Sequence, residues 1–172
     1  MKAAFVIACA VSIVAGNALA APSASDKDFV TKAGQAGIAE VAAGRMAKEN
    51  GQSAGVKKFA ERMITDHSKA GEELKSVAVK SGVTVPTTSS AEQKQAAQKL
   101  ARLKGADFDN AYAAQMVKDH EGAVALFENE ASSGSDADLK AFAGKTLPTL
   151  QEHLKMAKAL PDGAISGGSA SP

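Results

Sequence analysis

A chain of 172 residues can bury the core of one domain and is too short for two comfortable ones. It is rich in Ala, has no Trp and few aromatics, and carries 20 basic against 19 acidic residues, so an all-α class leads. The charges are interspersed (Lys57, Lys58, Glu61, Arg62; Lys94, Lys99, Arg102, Lys104) with no one-sided basic stripe, which argues against a nucleic-acid partner.

Residues 1–20 have the form of a cleaved secretory signal peptide. Met1-Lys2 is a short positive start, Ala3 to Ala15 is an uncharged apolar run too short to span a bilayer, and Ala18-Leu19-Ala20 supplies small residues for cleavage. Val6-Ile7-Ala8-Cys9 resembles a lipid-attachment site, but the apolar run before Cys9 is too short for one. Cleavage after Ala20 removes the single cysteine and leaves 19 basic and 19 acidic residues, hence no disulfide and no thiol chemistry in a periplasmic, oxidising destination. Beyond residue 20 no stretch is apolar for long enough to be a membrane span, and none alternates as a β-barrel would.

Residues 21–160 read as an antiparallel bundle of four long helices. The first is expected to start at a cap, Ser25, with Asp28 in the first turn, and to end at Asn50-Gly51. Ser53 starts the second, whose Val56, Phe59, Ala60, Met63, His67, Ala70, Leu74 and Val77 recur at three- and four-residue steps until Ser81-Gly82. Val83 to Pro86 reads as extended linker. Residues 90–104 form a shorter, polar helix within a long crossover, outside the core. Asp107 is the expected cap of the third long helix, with a seam of Tyr112, Met116, His120, Ala123 and Phe127. After the Ser132–Ser135 break the fourth carries Leu139, Phe142, Thr146, Leu150, His153 and Ala157, with a kink expected at Pro148. Residues 161–172, rich in Gly and Ser, are expected to be a disordered tail.

Two helices share one pattern. Phe59 to Leu74 overlays Tyr112 to Phe127 at a constant offset, matching Met63 with Met116, Asp66 with Asp119 and His67 with His120. A common bundle position explains the apolar matches but does not require the Asp-His.

The three histidines fall on three different long helices, each on the apolar seam, an outcome chance gives about once in thirty if a third of a helix faces the core. Glu40 lies on the inner stripe of the remaining helix at similar depth to His67 and His120, whereas His153, counted from an expected cap at Ser135, lies lower by a turn unless the Pro148 kink compensates. A polar layer of Glu40, His67, His120 and His153 is therefore expected across the middle of the bundle. Such groups need partners when buried. Two arrangements supply them: hydrogen bonding within a metal-free layer, or one transition-metal ion such as zinc, copper or iron on the four side chains, with no organic cofactor. Asp66, Asp119 and Glu152 each precede a histidine and point about 100° away from it, so they are either second acceptors for the histidine of an adjoining helix or helix-surface acids at the edge of the seam. Met63, Met116 and Met46 at seam spacing read as packing, Tyr112 as a packed ring with a wet hydroxyl, and Gly37 and Gly44 as points of close helix approach.

With Glu40, two Met-x-x-Asp-His segments and Leu147-Pro148-x-Leu150-x-x-His153-Leu154, the chain resembles domain-of-unknown-function family 4142 from about Phe29 to Leu160. The resemblance implies a ferritin-like four-helix fold in exported bacterial proteins, without a settled activity. Members are often described as outer-membrane proteins, which the helical pattern does not support as a barrel. Di-iron proteins of the ferritin-like class use Glu-x-x-His on two helices. Here Ile64, Val117 and Leu150 stand three before the histidines, so the bridging carboxylates are missing and a mononuclear site fits better.

Overall fold

The structure, a computed structural model, describes residues 21–160; the expected signal peptide, with Cys9, and the expected tail lie outside the described residues. Five helices follow in order: α1 (Ala24–Asn50), α2 (Ala54–Lys80), α3 (Ala91–Leu100), α4 (Gly105–Ser133) and α5 (Ala137–Lys158). Among the described residues no strand forms beyond a single bridge between Gly51 and Gly105, and no helix is long and apolar enough to cross a membrane.

The helix starts correct three of the expected caps. Ser23, not Ser25, caps α1: its hydroxyl accepts from Asp26 N while Asp26 accepts from Ser23 N, a reciprocal capping box. Asp28 instead pairs with Lys32 at 2.7 Å. Asp107 caps nothing, because α4 starts earlier, at Lys104-Gly105, where Gly105 adopts a positive φ of 60°. Asp136, not Ser135, caps α5 by accepting from Asp138 N and Leu139 N. The cap Ser53 and the α2 end at Ser81-Gly82 are as expected, α3 starts at its cap Ser90 but ends at Leu100, short of the expected 104, and α5 continues through Pro148.

Two buried aspartates fix the topology. Asp109, in the first turn of α4, accepts from Gln52 N at 3.0 Å and Ser53 N at 2.7 Å, so α4 begins where α1 hands over to α2. Asp26, in the first turn of α1, accepts from Ser135 N at 2.9 Å and from the Ser135 hydroxyl, so α5 begins where α1 begins. The α1–α2 and α4–α5 hairpins therefore pack with every neighbouring pair antiparallel (α1 on α2 and α4, α5 on α2 and α4). The crossover climbs the length of the bundle between them, which is the ferritin-like connection. It carries α3 across α1 and α4, and Leu100 at its end joins the core it was expected to miss.

Gly44 is a point of close approach, since a Cβ there would sit 2.9 Å from Ile64 Cγ1 and 3.1 Å from the Ala60 carbonyl. Gly37 is not; a Cβ on it would meet nothing. The buried apolar side chains fall into two clusters. One, around Phe59, Met63, Phe108, Tyr112 and Met116, fills the end where α4 starts. The other, around Phe29, Leu74, Phe127, Phe142 and Leu150, fills the opposite end, with Phe29 edge-on to Phe127 at 5.0 Å. Between them, on all four long helices, lie Glu40, His67, His120 and His153.

Candidate metal centre

Measured from the observed caps Ser23 and Asp136, Glu40 and His153 stand equally far along the parallel helices α1 and α5. The displacement of His153 by a turn that the expected caps implied therefore vanishes. The three imidazoles form a nearly equilateral triangle, with ring centroids 5.5, 5.4 and 5.4 Å apart. One ring nitrogen from each lies within 4.8 Å of the others. The pair from the echoed Asp-His segments, on the diagonal helices α2 and α4, is in contact: His67 Nε2 is 3.4 Å from His120 Nε2.

Hydrogen bonds at the back of two rings set their tautomers. His120 Nδ1–H donates to the Met116 carbonyl at 2.8 Å, leaving the lone pair on Nε2. His153 Nε2–H donates to Asp66 Oδ2 at 2.8 Å, leaving the lone pair on Nδ1, which is buried without a partner. Asp66 is held in turn by Arg62 Nε at 3.2 Å, and a second Arg62 nitrogen lies 3.2 Å from Met156 Sδ. The His67–His120 contact is a hydrogen bond when His67 keeps its proton on Nε2, and an edge shared by two ligands when an ion replaces that proton.

All three rings are neutral at pH 7. Burial lowers His67 to about 3, helped by the neighbouring His120 and His153. Burial lowers His120 to about 4 against the Met116 carbonyl, and it also lowers His153 despite Asp66. For Asp66, burial is outweighed by hydrogen bonds from His153 and Arg62, which hold its carboxyl below the usual range. The Asp66–His153 contact is thus a neutral imidazole donating to a carboxylate, the arrangement that orients a metal-binding histidine.

The remaining expected residues are placed differently. Glu40 is buried at 5% exposure and lies outside the group of three; its Oε2 has no hydrogen-bond partner. Burial, and then the charge of Asp119, push its carboxyl well above the usual range. Asp119 reaches no histidine and instead accepts from Gln115 on its own helix at 2.7 Å. Glu152 is exposed. Met63 and Met116 lie in the apolar cluster above the layer. Tyr112 packs its ring between Phe108 and Phe59, but its hydroxyl is dry and without a partner, not wet as expected. Sequence reasoning missed Arg62, although its spacing from Asp66 is that of a helical ion pair.

The donor set fits a metal. Two nitrogens each about 2.0–2.1 Å from a tetrahedral ion would be about 3.3 Å apart; His67 and His120 match this at 3.4 Å, while the group of three lies within 4.8 Å, so a third bond to His153 needs its ring to move inward. The third lone pair, on His153, has nothing else to satisfy it. His67 and His120 also line a cavity of about 530 Å³ that is partly open to solvent, so the group has an entry path.

A family model described as Domain of unknown function (DUF4142) matches residues 14–160. The chain belongs to the DUF4142 family. No curated protein matches this DUF4142 chain in sequence. Among solved structures it is similar to a DUF305 fragment from Deinococcus radiodurans, at 14% identity and a TM-score of 0.70, over 80% of this chain and 95% of that one. It is also similar to CopM in the Cu(I)-bound form, at 18% identity and a TM-score of 0.65, over 78% of this chain and 93% of that one. At these identities the likeness is one of fold.

Proposed function

We propose that this chain is an exported, periplasmic bundle that holds one transition-metal ion on His67, His120 and His153, with Asp66 fixing the third ligand. The observation that carries this reading is the convergence of three neutral imidazoles in a buried layer, one with an orphaned lone pair. Export rests on the leader-like residues 1–20. Nitrogen donors suit copper and zinc. Copper is the first ion to test, because the similarly folded CopM is known in a Cu(I)-bound form. Iron fits less well, since the three-residue group contains no carboxylate. Glu40 is the nearby carboxyl left for a fourth position, at the cost of its proton.

The test is elemental analysis of protein exported through its own leader and purified without an affinity tag. About one equivalent of copper or zinc is expected, lost in His67→Ala and His120→Ala. Absence of stoichiometric metal, together with no rise in melting temperature on adding either ion, sinks the proposal. A metal-free structural layer is the second reading, favoured by the hydrogen bonds that Asp66 and the Met116 carbonyl already make to two of the rings. It leaves the His153 Nδ1 lone pair unaccounted for.

A further inference from the structure

The cavity of about 530 Å³ beside the histidines is a cleft partly open to solvent, with exposed Arg45, Lys69, Glu72 and Lys75 in its lining as well as buried apolar side chains. It is bounded by α1, α2, α4 and α5, and its walls include Leu74, Phe127, Phe142 and Leu150. Of three glycines that line it in mid-helix, Gly34 on α1 makes room for Val85, which leaves two, Gly37 on α1 and Gly71 on α2. Neither stands at a turn or at a positive φ, and a Cβ on either would meet nothing within 4 Å. Glycine is unfavourable inside a helix, so packing gives no reason for them. What they do is keep the cavity open. Its volume lies in the range of small-molecule pockets, and it combines apolar walls with a few converging polar groups, as such pockets do.

The polar end names the chemistry. Glu40 lines the cavity, is buried, and has Oε2 without a partner. Asp119, also at this end, is already bonded to Gln115. A charged ligand could pair only with the exposed Arg45, Lys69 or Lys75, and would lose its hydration among the buried leucines and phenylalanines beside Glu40. A purely hydrocarbon ligand would leave the Glu40 oxygen unsatisfied. A hydroxyl both donates and accepts, so it can satisfy a carboxyl or a carboxylate alike. We infer that the cavity is a binding pocket for a small, uncharged, mostly apolar molecule bearing one hydroxyl, seated with that hydroxyl on Glu40. The rings of Phe127 and Phe142 suit a cyclic skeleton. The pocket stands on the cavity and the orphaned Glu40 oxygen, not on the metal reading, and its test is run on metal-stripped protein so that either can fail alone.

The probe is 1-naphthol, titrated calorimetrically into the chelator-treated chain, with naphthalene as the partner lacking the hydroxyl. Saturable one-to-one binding is expected, with naphthalene weaker by about tenfold or more. Gly37→Leu and Gly71→Leu fill the cavity and should each weaken 1-naphthol at least tenfold while retaining helicity and metal uptake. Glu40→Leu should abolish the preference for 1-naphthol over naphthalene. As an arm that needs no variant, amide shifts on adding 1-naphthol should concentrate around Gly37, Gly71 and Glu40. No saturable binding, equal affinity for the two probes in the parent chain, undiminished binding by both glycine variants, or shifts elsewhere would each overturn the inference.

Discussion

Asp66 is the residue on which the histidine layer turns. It follows the turn that carries Arg62 and precedes His67, yet its bond is to His153 across the bundle. That acids beside the histidines reach an adjoining helix was legible from the 100° step; which of the three would do so was not. The outcome depends on which helices are neighbours and on local competitors. Asp119 has Gln115 one turn away, and Glu152 faces solvent. Removing an outer partner of a metal-binding histidine typically costs about 10–100-fold in affinity. Asp66→Ala should therefore weaken copper or zinc by about that factor in a chelator competition, while His67→Ala abolishes binding. Equal affinity in Asp66→Ala and the parent would show that His153 needs no orientation. Tyr112 makes the opposite case. Its buried hydroxyl has no partner, so Tyr112→Phe should be neutral or stabilising by about 1 kcal/mol in urea denaturation; a loss larger than that would reveal a partner.

Element boundaries show where local pattern stops being decisive. Ser23-x-x-Asp26 and Ser25-x-x-Asp28 offer the same capping pattern two residues apart. The fold selects the first because Asp26 has a second task, accepting from Ser135 at the start of α5. Asp109 does the same for the α1–α2 connection from the first turn of α4. Each hairpin is thus latched by the opening turn of the other, a long-range relation that helical periodicity cannot carry. The periodicity did carry the number of helices and their seams, because those depend only on which faces are apolar; the level of the polar layer depends on the caps and moved with them. Hydrogen bonds to a charged group contribute about 1.5–3 kcal/mol each. Asp109→Ala, which loses two, should cost about 3–6 kcal/mol. Asp107→Ala, exposed and capping nothing, should stay within about 1 kcal/mol. Equal losses in the two variants, read from urea midpoints, would mean that Asp109 is not a latch.

At the scale of the whole molecule, two buried polar groups at different levels pull stability in opposite directions with pH. The histidines are lowered in the fold, His67 to about 3 and His120 to about 4, from an ordinary value of 6.5. Their contribution is whole above pH 6.5 and is lost as pH falls, because the unfolded chain takes up protons that the folded layer refuses. Glu130, buried at the opposite end of α4 from Asp109, is raised to about 7. Burial is the main cause, followed by Asp26 on α1 and Asp136 on α5, with Lys140 opposing. For a carboxyl shifted upwards the sign reverses. Its contribution is whole below about pH 4.5 and is lost as pH rises through 7, where the folded state must ionise a group beside Asp26. Glu40 and Asp119, raised by burial, act in the same direction as Glu130. Metal-free stability should therefore climb from about pH 4 to about 6.5, where the histidines titrate in the unfolded chain, and decline above it, where the raised carboxyls lose their protons. Chemical denaturation across that range checks the shape. Glu130→Gln should lessen the decline above the peak, leaving the share due to Glu40, and keep the acid limb intact, whereas a saturating metal ion should move the acid limb, since protons and metal compete for the same nitrogens. An acid limb unmoved by copper and zinc alike would place the histidines in a purely structural layer, with Glu40 and Glu130 still governing the alkaline side.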